Sequence, residues 1–274
     1  MLKTLTAEQV RHFKEFGYVA PIRVMPVAQA LELRERLEDF EHGNDKLRKK
    51  ALNVKSHLLF AWLNELVRRR EIVDAIDDLY GENLLCWASS FFIKDARDPA
   101  FVSWHQDSTY WGLSQPDVVT AWVALSESNK SNGAMQVIPK THLLDQIPHR
   151  DTFSEHNLLT RGQEVAVDVD QSQAVSIELE PGEMSLHHVR IVHGSPPNAS
   201  DKRRIGYAIR YIPTYVRQLE GDDSATLVRG VDTFNTFEHE PRPTVDLEPE
   251  FVALHQQIGE RNQQILYKGA AQRR

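Results

Sequence analysis

The sequence predicts an α+β fold in which N-terminal helices surround an antiparallel β core. Helical periodicity dominates residues 1–80, whereas residues 81–213 carry short apolar or alternating runs separated by turn residues. No stretch has the composition of a linker. We therefore expect one domain over residues 1–274, with a loop and a C-terminal helix over residues 214–274. A double-sheet jelly roll is one architecture that satisfies this pattern.

The predicted helices begin with one that starts at a capping box. Thr6 and Gln9 have the spacing of that motif, and Gly17 is a natural helix stop. Apolar residues at helical spacing predict further helices over residues 27–40, 58–70, 72–80 and 248–267. The charged segment 41–50 between them is expected to be a loop.

The β core is predicted from runs that alternate or are continuously apolar. We expect strands over residues 18–24, 84–94, 118–125, 134–138, 165–169, 176–179, 184–193 and 203–212. Residues 145–164 and 215–245 are long, polar and weakly periodic. Segments of that length in a compact domain are often lids.

Composition excludes several functional classes. The formal net charge is −7, which argues against nucleic acid or an anionic membrane as the main partner. The longest apolar run, residues 118–125, is too short to cross a bilayer, and the N-terminus does not resemble a signal peptide. Cys86 is the only cysteine, so no internal disulfide can form. We expect a cytoplasmic enzyme with a small-molecule substrate; a homo-oligomer remains open.

A candidate metal motif stands at residues 102–111. On an extended chain His105 and Asp107 point the same way, so both can bind one divalent metal. Two histidines and one carboxylate form the facial triad of non-haem iron(II) oxygenases. His193, at a predicted strand end beside a glycine, can supply the second imidazole. Arg204 follows across a turn and offers a bidentate grip on a carboxylate.

The combined pattern resembles the phytanoyl-CoA dioxygenase family of Fe(II)/2-oxoglutarate oxygenases. The resemblance covers the N-terminal residues 5–19, the Trp-His-Gln-Asp core at 104–107, residues 121–125, residues 133–142, and His193-Gly194-Ser195 with Arg204. It implies a double-stranded β-helix, a cupin-like jelly roll. It also implies Fe(II), 2-oxoglutarate and O₂ as cofactor and cosubstrates.

The same resemblance implies roles for individual residues. His105, Asp107 and His193 would be the catalytic iron ligands. Arg204 would bind the distal carboxylate of 2-oxoglutarate, with help from the Ser195 hydroxyl. Lys94 matches a lysine that often ends the preceding strand in relatives, although a solvated strand-end lysine is the simpler interpretation. An aspartate at position 107 favours hydroxylation, because halogenating relatives carry a small residue there.

The substrate site is less readable. Tyr110 and Trp111 follow the metal motif and are candidate aromatic pocket walls for a cationic group, and Arg210 shares the strand parity of Arg204. These residues suggest hydroxylation of a small polar or zwitterionic molecule, such as an amino- or quaternary-ammonium phosphonate or carboxylate. A carrier-bound or terpenoid-like substrate, a zinc hydrolase with the same ligands and a non-catalytic binding module are the alternatives.

Two further histidines precede His193. If residues 184–193 form one regular strand, His187 shares a face with His193 but lies about 20 Å away along the strand. On that basis we do not expect His187 or His188 to share the metal site.

Overall fold

The computed structural model describes residues 2–43, 51–167, 169–268 and 270. Most of the helices pack against one large sheet. The helices α1 to α5 span Ala7–Phe16, Val27–Gly43, Ala61–Val67, Arg70–Tyr80 and Pro249–Leu266. The capping box at Thr6 is confirmed. The Thr6 side chain accepts a hydrogen bond from the Gln9 backbone amide, and the Gln9 side-chain oxygen accepts one from the Thr6 backbone amide. Helix α2 continues to Gly43, so the predicted loop begins later; residues 44–50 lie outside the described residues. No helix in the described ranges is long and apolar enough to span a membrane.

Thirteen strands are assigned within the described residues. They are β1 Tyr18–Arg23, β2 Leu84–Lys94, β3 Val102–His105, β4 Val119–Ala124, β5 Gln136–Ile138, β6 His149–Arg150, β7 Glu164–Val165, β8 Val175–Ser176, β9 Glu183–His188, β10 Val192–Ser195, β11 Arg204–Pro213, β12 Ser224–Arg229 and β13 Glu238–His239. A larger sheet has the order β1-β9-β4-β11-β2-β12-β13, and a smaller one the order β3-β10-β5-β8. The predicted α+β fold with a jelly-roll core is confirmed.

Strand β11 shows why this core needs both helices and a second sheet. All ten of its residues are buried, so both of its faces are covered. One face presents Ile205, Tyr207, Ile209 and Tyr211, which join the apolar cluster of the helices. The opposite face presents Arg204, Gly206, Ala208 and Arg210. Because strand side chains alternate, a continuously buried strand can line a helix layer on one side and a polar cavity on the other.

The single strand predicted over residues 184–193 is wrong. Strand β9 ends at His188 in the larger sheet, and β10 begins at Val192 in the smaller sheet. The crossing segment carries Val189 and Ile191, which are both fully buried. A buried crossover has the same apolar composition as a strand, so the sequence gives no turn signal where the chain changes sheets.

The predicted loop over residues 215–245 also contains β12 and β13. A buried polar cluster attaches this segment to the 3-10 turn Ser56–Leu58 and the residue before it. The Glu240 carboxylate accepts hydrogen bonds from Lys55 Nζ at 2.6 Å, Ser224 Oγ at 2.7 Å and Thr226 Oγ1 at 2.7 Å, and lies 3.1 Å from His57 Nε2. Burial would raise the pKa of Glu240, but Lys55 and His57 hold it well below its ordinary value.

We expect Glu240→Ala to lower the free energy of unfolding by about 3–5 kcal/mol, because it removes the nearer of the two carboxylates that face the buried Lys55 ammonium. The matched control is Glu238→Ala, whose carboxylate is exposed and pairs with Arg261; it should change stability by less than about 1 kcal/mol. Urea denaturation measures both. Equal small losses in the two variants would contradict a structural role for the buried cluster.

Candidate active site

Three side chains that suit a divalent metal converge in the cavity between the two sheets. His105 ends β3 and is directly paired with His193 of β10 in the antiparallel register. Asp107 begins the 3-10 turn Asp107–Tyr110, and the extended Gln106 between them keeps His105 and Asp107 on one side. One potential ligand atom from each side chain lies within 4.8 Å of the other two, and all three side chains are buried.

Backbone carbonyl groups orient both imidazoles. His105 Nδ1 lies 2.9 Å from the Ser103 carbonyl oxygen and 3.1 Å from that of His193. His193 Nδ1 lies 3.0 Å from the Ile191 carbonyl oxygen. A ring nitrogen in this position donates its proton to the carbonyl, which leaves Nε2 of each ring as the unprotonated atom. Both rings are therefore held in the tautomer that a metal ligand requires.

The protonation states also suit a metal. Burial alone would raise the pKa of Asp107, but His105, whose Nε2 lies 3.3 Å from Asp107 Oδ1, and the nearby His193 hold it well below its ordinary value. Burial, followed by the neighbouring His105, holds the pKa of His193 well below its ordinary value. Carboxylate and neutral imidazole are the metal-binding forms. The donor set fits a non-haem iron(II) centre that keeps positions open for other ligands.

Two buried basic side chains lie together at one end of the same cavity, and Arg204 lines the cavity itself. Arg204 on β11 and Lys94 on β2 are directly paired, and both side chains are almost completely buried. The Arg204 guanidinium donates to the Gly133 carbonyl and to Ser195 Oγ at 3.2 Å. Lys94 Nζ donates to Ser195 Oγ at 2.5 Å and to the Pro196 carbonyl. Lys94 is thus not a solvated strand-end residue.

Neither cation forms a salt bridge with a carboxylate among the described residues, and Arg204 Nε has no hydrogen-bond partner there. Burial and then Arg204 lower the pKa of Lys94 to about 6, and burial lowers the pKa of Arg204 to about 10. Arg204 is therefore the permanent charge here, and a buried cation without a counter-ion is destabilising unless a ligand neutralises it. This end of the cavity is therefore built to accept an anion.

A tryptophan forms the floor of the cavity beside Arg204. The guanidinium carbon of Arg204 lies 5.4 Å from the Trp122 ring centroid. Gly206 makes room for the indole, because a Cβ atom at this position would lie only 1.8 Å from a Trp122 ring atom. The sequence pattern does not identify Trp122 as a cavity residue, since the orientation of its side chain depends on the strand register.

The opposite end of the cavity holds Arg210. Its guanidinium carbon lies 5.7 Å from the Phe92 ring centroid and 5.8 Å from that of Trp111, and Nη1 donates to Ser90 Oγ at 2.5 Å. Arg210 is buried and lines the same cavity as the three candidate metal ligands. Trp111 also borders a neighbouring cavity of about 140 Å³, which includes Gln115 and Arg190.

Tyr110 ends the 3-10 turn Asp107–Tyr110 and points away from these two cavities, against the long segment that precedes β7. Its hydroxyl donates to Asp151 at 2.8 Å, and the Arg161 guanidinium carbon stacks 3.7 Å from its ring centroid. The same segment is attached to the metal motif through His149, whose Nε2 accepts from the Gln106 backbone amide at 2.9 Å. These contacts fasten the segment against the strand that carries the candidate ligands.

His187 lies much closer to the metal cluster than the sequence analysis allowed. Its ring centroid is 5.0 Å from that of His193, not about 20 Å away, because the chain crosses from β9 to β10 between them. The cluster whose ligand atoms come together contains His105, Asp107 and His193 without His187. His187 therefore borders the candidate metal site. Its position follows from the crossing between the two sheets, which the sequence pattern did not predict.

Comparison with known proteins gives a consistent picture. The family model described as "Phytanoyl-CoA dioxygenase (PhyH)" matches residues 5–206. A protein of Stutzerimonas stutzeri named "probable alpha-ketoglutarate-dependent hypophosphite dioxygenase" is 30% identical over 229 residues, which cover 74% of this chain and 78% of the relative.

Solved structures agree with the sequence matches. A structure titled "non-heme monooxygenase; ThoJ apo" superposes with a TM-score of 0.85 at 32% identity, over 95% of this chain and 98% of that one. A structure titled "CytC3 with Fe(II) and alpha-ketoglutarate" superposes with a TM-score of 0.66 at 25% identity, over 90% of this chain and 98% of that one.

Alanine in place of His105, Asp107 or His193 should weaken Fe(II) binding by more than about 100-fold, since even a residue that only supports a ligand costs about 10–100-fold. Anaerobic competition against a coloured chelator measures the affinity, and circular dichroism checks the fold. His142→Gln is the matched control, because His142 is a largely buried histidine outside the cluster. Parental affinity in His193→Ala would show that the third ligand lies elsewhere.

Proposed function

This chain belongs to the phytanoyl-CoA dioxygenase family and is an Fe(II)/2-oxoglutarate-dependent dioxygenase that acts on small molecules; from that premise we propose that it hydroxylates a C–H bond of a small polar or zwitterionic molecule. A carboxylate or a phosphonate that bears an amino or quaternary-ammonium group is the class we favour. The zinc-hydrolase and binding-module alternatives do not account for the family membership.

The proposal is carried by one observation, the buried Arg204–Lys94 pair beside the metal-ligand cluster. A diacid that chelates a metal through one end needs a cation for its other end. An arginine offers such a carboxylate a planar, permanently charged fork.

We assign the residue roles on this basis. His105, Asp107 and His193 hold Fe(II), and Arg204 binds the distal carboxylate of 2-oxoglutarate with the Ser195 hydroxyl. Lys94 positions Ser195 through its 2.5 Å hydrogen bond. Bound Fe(II), 2-oxoglutarate and O₂ supply the oxidising chemistry, and the protein supplies the ligands, the orientation and the exclusion of water.

The substrate enters from the side opposite Arg204 in this proposal. Trp111 forms an aromatic wall there, and Arg210 lies behind it. Tyr110 contributes by holding the segment that contains Asp151 against the metal strand. Closure of that segment over the cavity would exclude water during turnover. The protein as a whole has a formal net charge of −7, so the positive charge of this cavity is a local feature.

A second candidate is oxidation at phosphorus in a small oxyanion. The relative that is 30% identical is named for its dependence on α-ketoglutarate and its action on hypophosphite. Such a substrate is smaller than the amino acids and phosphonates considered above. It would use the same iron ligands and the same Arg204 contact, so only the substrate distinguishes the two reactions.

We expect Arg204→Ala to raise the dissociation constant of 2-oxoglutarate by about 30-fold or more, as truncation of one partner in a buried charge pair costs about 2–5 kcal/mol. Calorimetry on the Ni(II)-loaded protein, which cannot turn over, measures the affinity. Arg203→Ala is the control: its side chain pairs with Glu41 on the other face of the strand. Unchanged affinity in Arg204→Ala would remove Arg204 from the cosubstrate site.

Succinate release against a panel of compounds tests the substrate class. The panel contains hypophosphite, small amino acids, aminoalkyl phosphonates and betaines, with phytanoyl-CoA and a terpenoid alcohol as apolar comparisons. A small polar member should stimulate succinate formation at least about tenfold above the rate without substrate, because a bound substrate must accompany productive turnover. Stimulation by the apolar compounds alone would contradict the proposed class.

A further inference from the structure

Three buried polar side chains form a row across the cavity face of the larger sheet. Arg210 of β11 is paired with Thr120 of β4, and Thr120 is paired with His187 of β9. Directly paired residues on neighbouring strands place their side chains on the same face. All three line the cavity that contains His105, Asp107 and His193, and each is more than nine-tenths buried.

Each member of this row has a polar atom with no partner. Within the described part of the chain, Arg210 Nε, Thr120 Oγ1 and His187 Nδ1 are buried and make no hydrogen bond. Buried polar groups in folded proteins are almost always satisfied, so an unsatisfied one calls for an explanation. Three such atoms on adjacent strands, facing one cavity, indicate a common missing partner.

Arg210 also has no ion-pair partner among the described residues; the Asp107 carboxylate acts on it electrostatically, but that carboxylate belongs to the candidate metal site. The guanidinium is held by the Ser90 hydroxyl and by the rings of Phe92 and Trp111, and it forms no salt bridge with a described residue. Fe(II), the Asp107 carboxylate, dianionic 2-oxoglutarate and Arg204 together carry no net charge. Arg210 then leaves one positive charge in the loaded cavity, and a charged Lys94 would add to it.

The distal carboxylate of 2-oxoglutarate is not the missing partner. Arg204 and Arg210 lie on the same face of β11 but six residues apart, which corresponds to about 20 Å along the strand. A carboxylate held at Arg204 therefore lies too far away to pair with Arg210 as well. The two arginines serve different anionic groups.

We propose that Arg210, Thr120 and His187 form a binding site for an anionic head group of the substrate, a carboxylate, phosphinate or phosphonate. This inference rests on the proposed function and narrows it to substrates that carry a negative charge. Arg210 supplies the cation, and the Thr120 hydroxyl and the His187 ring supply neighbouring hydrogen bonds. An apolar or purely cationic substrate would leave all three groups unsatisfied, at a substantial desolvation cost.

The packing around Arg210 supports a binding role over a structural one. The rings of Phe92 and Trp111 flank the guanidinium, while Ser90 accepts from only one of its nitrogens. A guanidinium fixed before the ligand arrives loses little side-chain entropy on binding. By contrast, the structural arginine Arg203 is saturated by Glu41 and Asp95.

The test uses Ni(II)-loaded protein saturated with 2-oxoglutarate, titrated calorimetrically with hypophosphite, methylphosphonate and acetate, and with acetamide as the uncharged counterpart of acetate. We expect at least one anion to bind saturably and acetamide not to bind. Arg210→Met should weaken the binding of that anion by about 30-fold or more, and Thr120→Val should weaken it several-fold. The affinity of Arg210→Lys, which keeps the charge, should lie between those of the parent and Arg210→Met.

Arg97→Met is the matched control, because Arg97 is exposed and pairs with Asp201; it should bind the anion as the parent does. A second readout needs no ligand: Arg210→Met should melt at the same temperature as the ligand-free parent or higher, because it removes a buried charge that has no ion-pair partner in the described part of the chain. Loss of thermal stability would instead make Arg210 structural and overturn the proposal.

The outcomes separate this inference from the proposed function. If 2-oxoglutarate fails to bind to the Ni(II)-loaded parent, the proposed function fails. If 2-oxoglutarate binds but none of the three anions does, or if Arg210→Met binds them as the parent does, the anion site is wrong while the proposed function stands.

Discussion

The antiparallel pairing of His105 with His193 is the contact on which the site depends. It brings the two ring centroids to 4.1 Å although 88 residues separate the two positions in the chain. Carbonyl groups of Ser103, His193 and the adjoining Ile191 fix both rings, so backbone hydrogen bonds set the orientation of the ligands. Asp107 needs only the two-residue spacing to join them. A metal centre built this way is preorganised before the metal arrives.

Positive charge is buried inside a protein whose net charge is negative. The cavity face of β11 carries Arg204 at one end and Arg210 at the other, with Gly206 and Ala208 between them. The small central residues leave room for ligands and for the Trp122 indole, while the arginines define the two ends. Burying these cations costs stability in the free protein. The cost is offset when anions bind, so the same residues that weaken the empty fold give affinity and orientation to the loaded one.

Much of this could be predicted from the sequence, and the failures have physical causes. The capping box at Thr6 and the strand Leu84–Lys94 are local patterns, and they appear in the structure as expected. The convergence of the three candidate ligands followed from residue chemistry and family resemblance. The position of His187 could not be predicted, because a buried crossover is as apolar as a strand. The burial of Lys94 and the row that includes Thr120 depend on strand register, which a single sequence does not specify.

The central claim is that the paired strands and Arg204 together create one site for Fe(II) and 2-oxoglutarate. Anaerobic titration of the metal-free protein with Fe(II) and then 2-oxoglutarate, followed by visible absorption, tests it most directly. The account predicts a weak charge-transfer band that requires both additions and saturates at one equivalent of each. A protein that binds Fe(II) but develops no band at saturating 2-oxoglutarate would contradict the account.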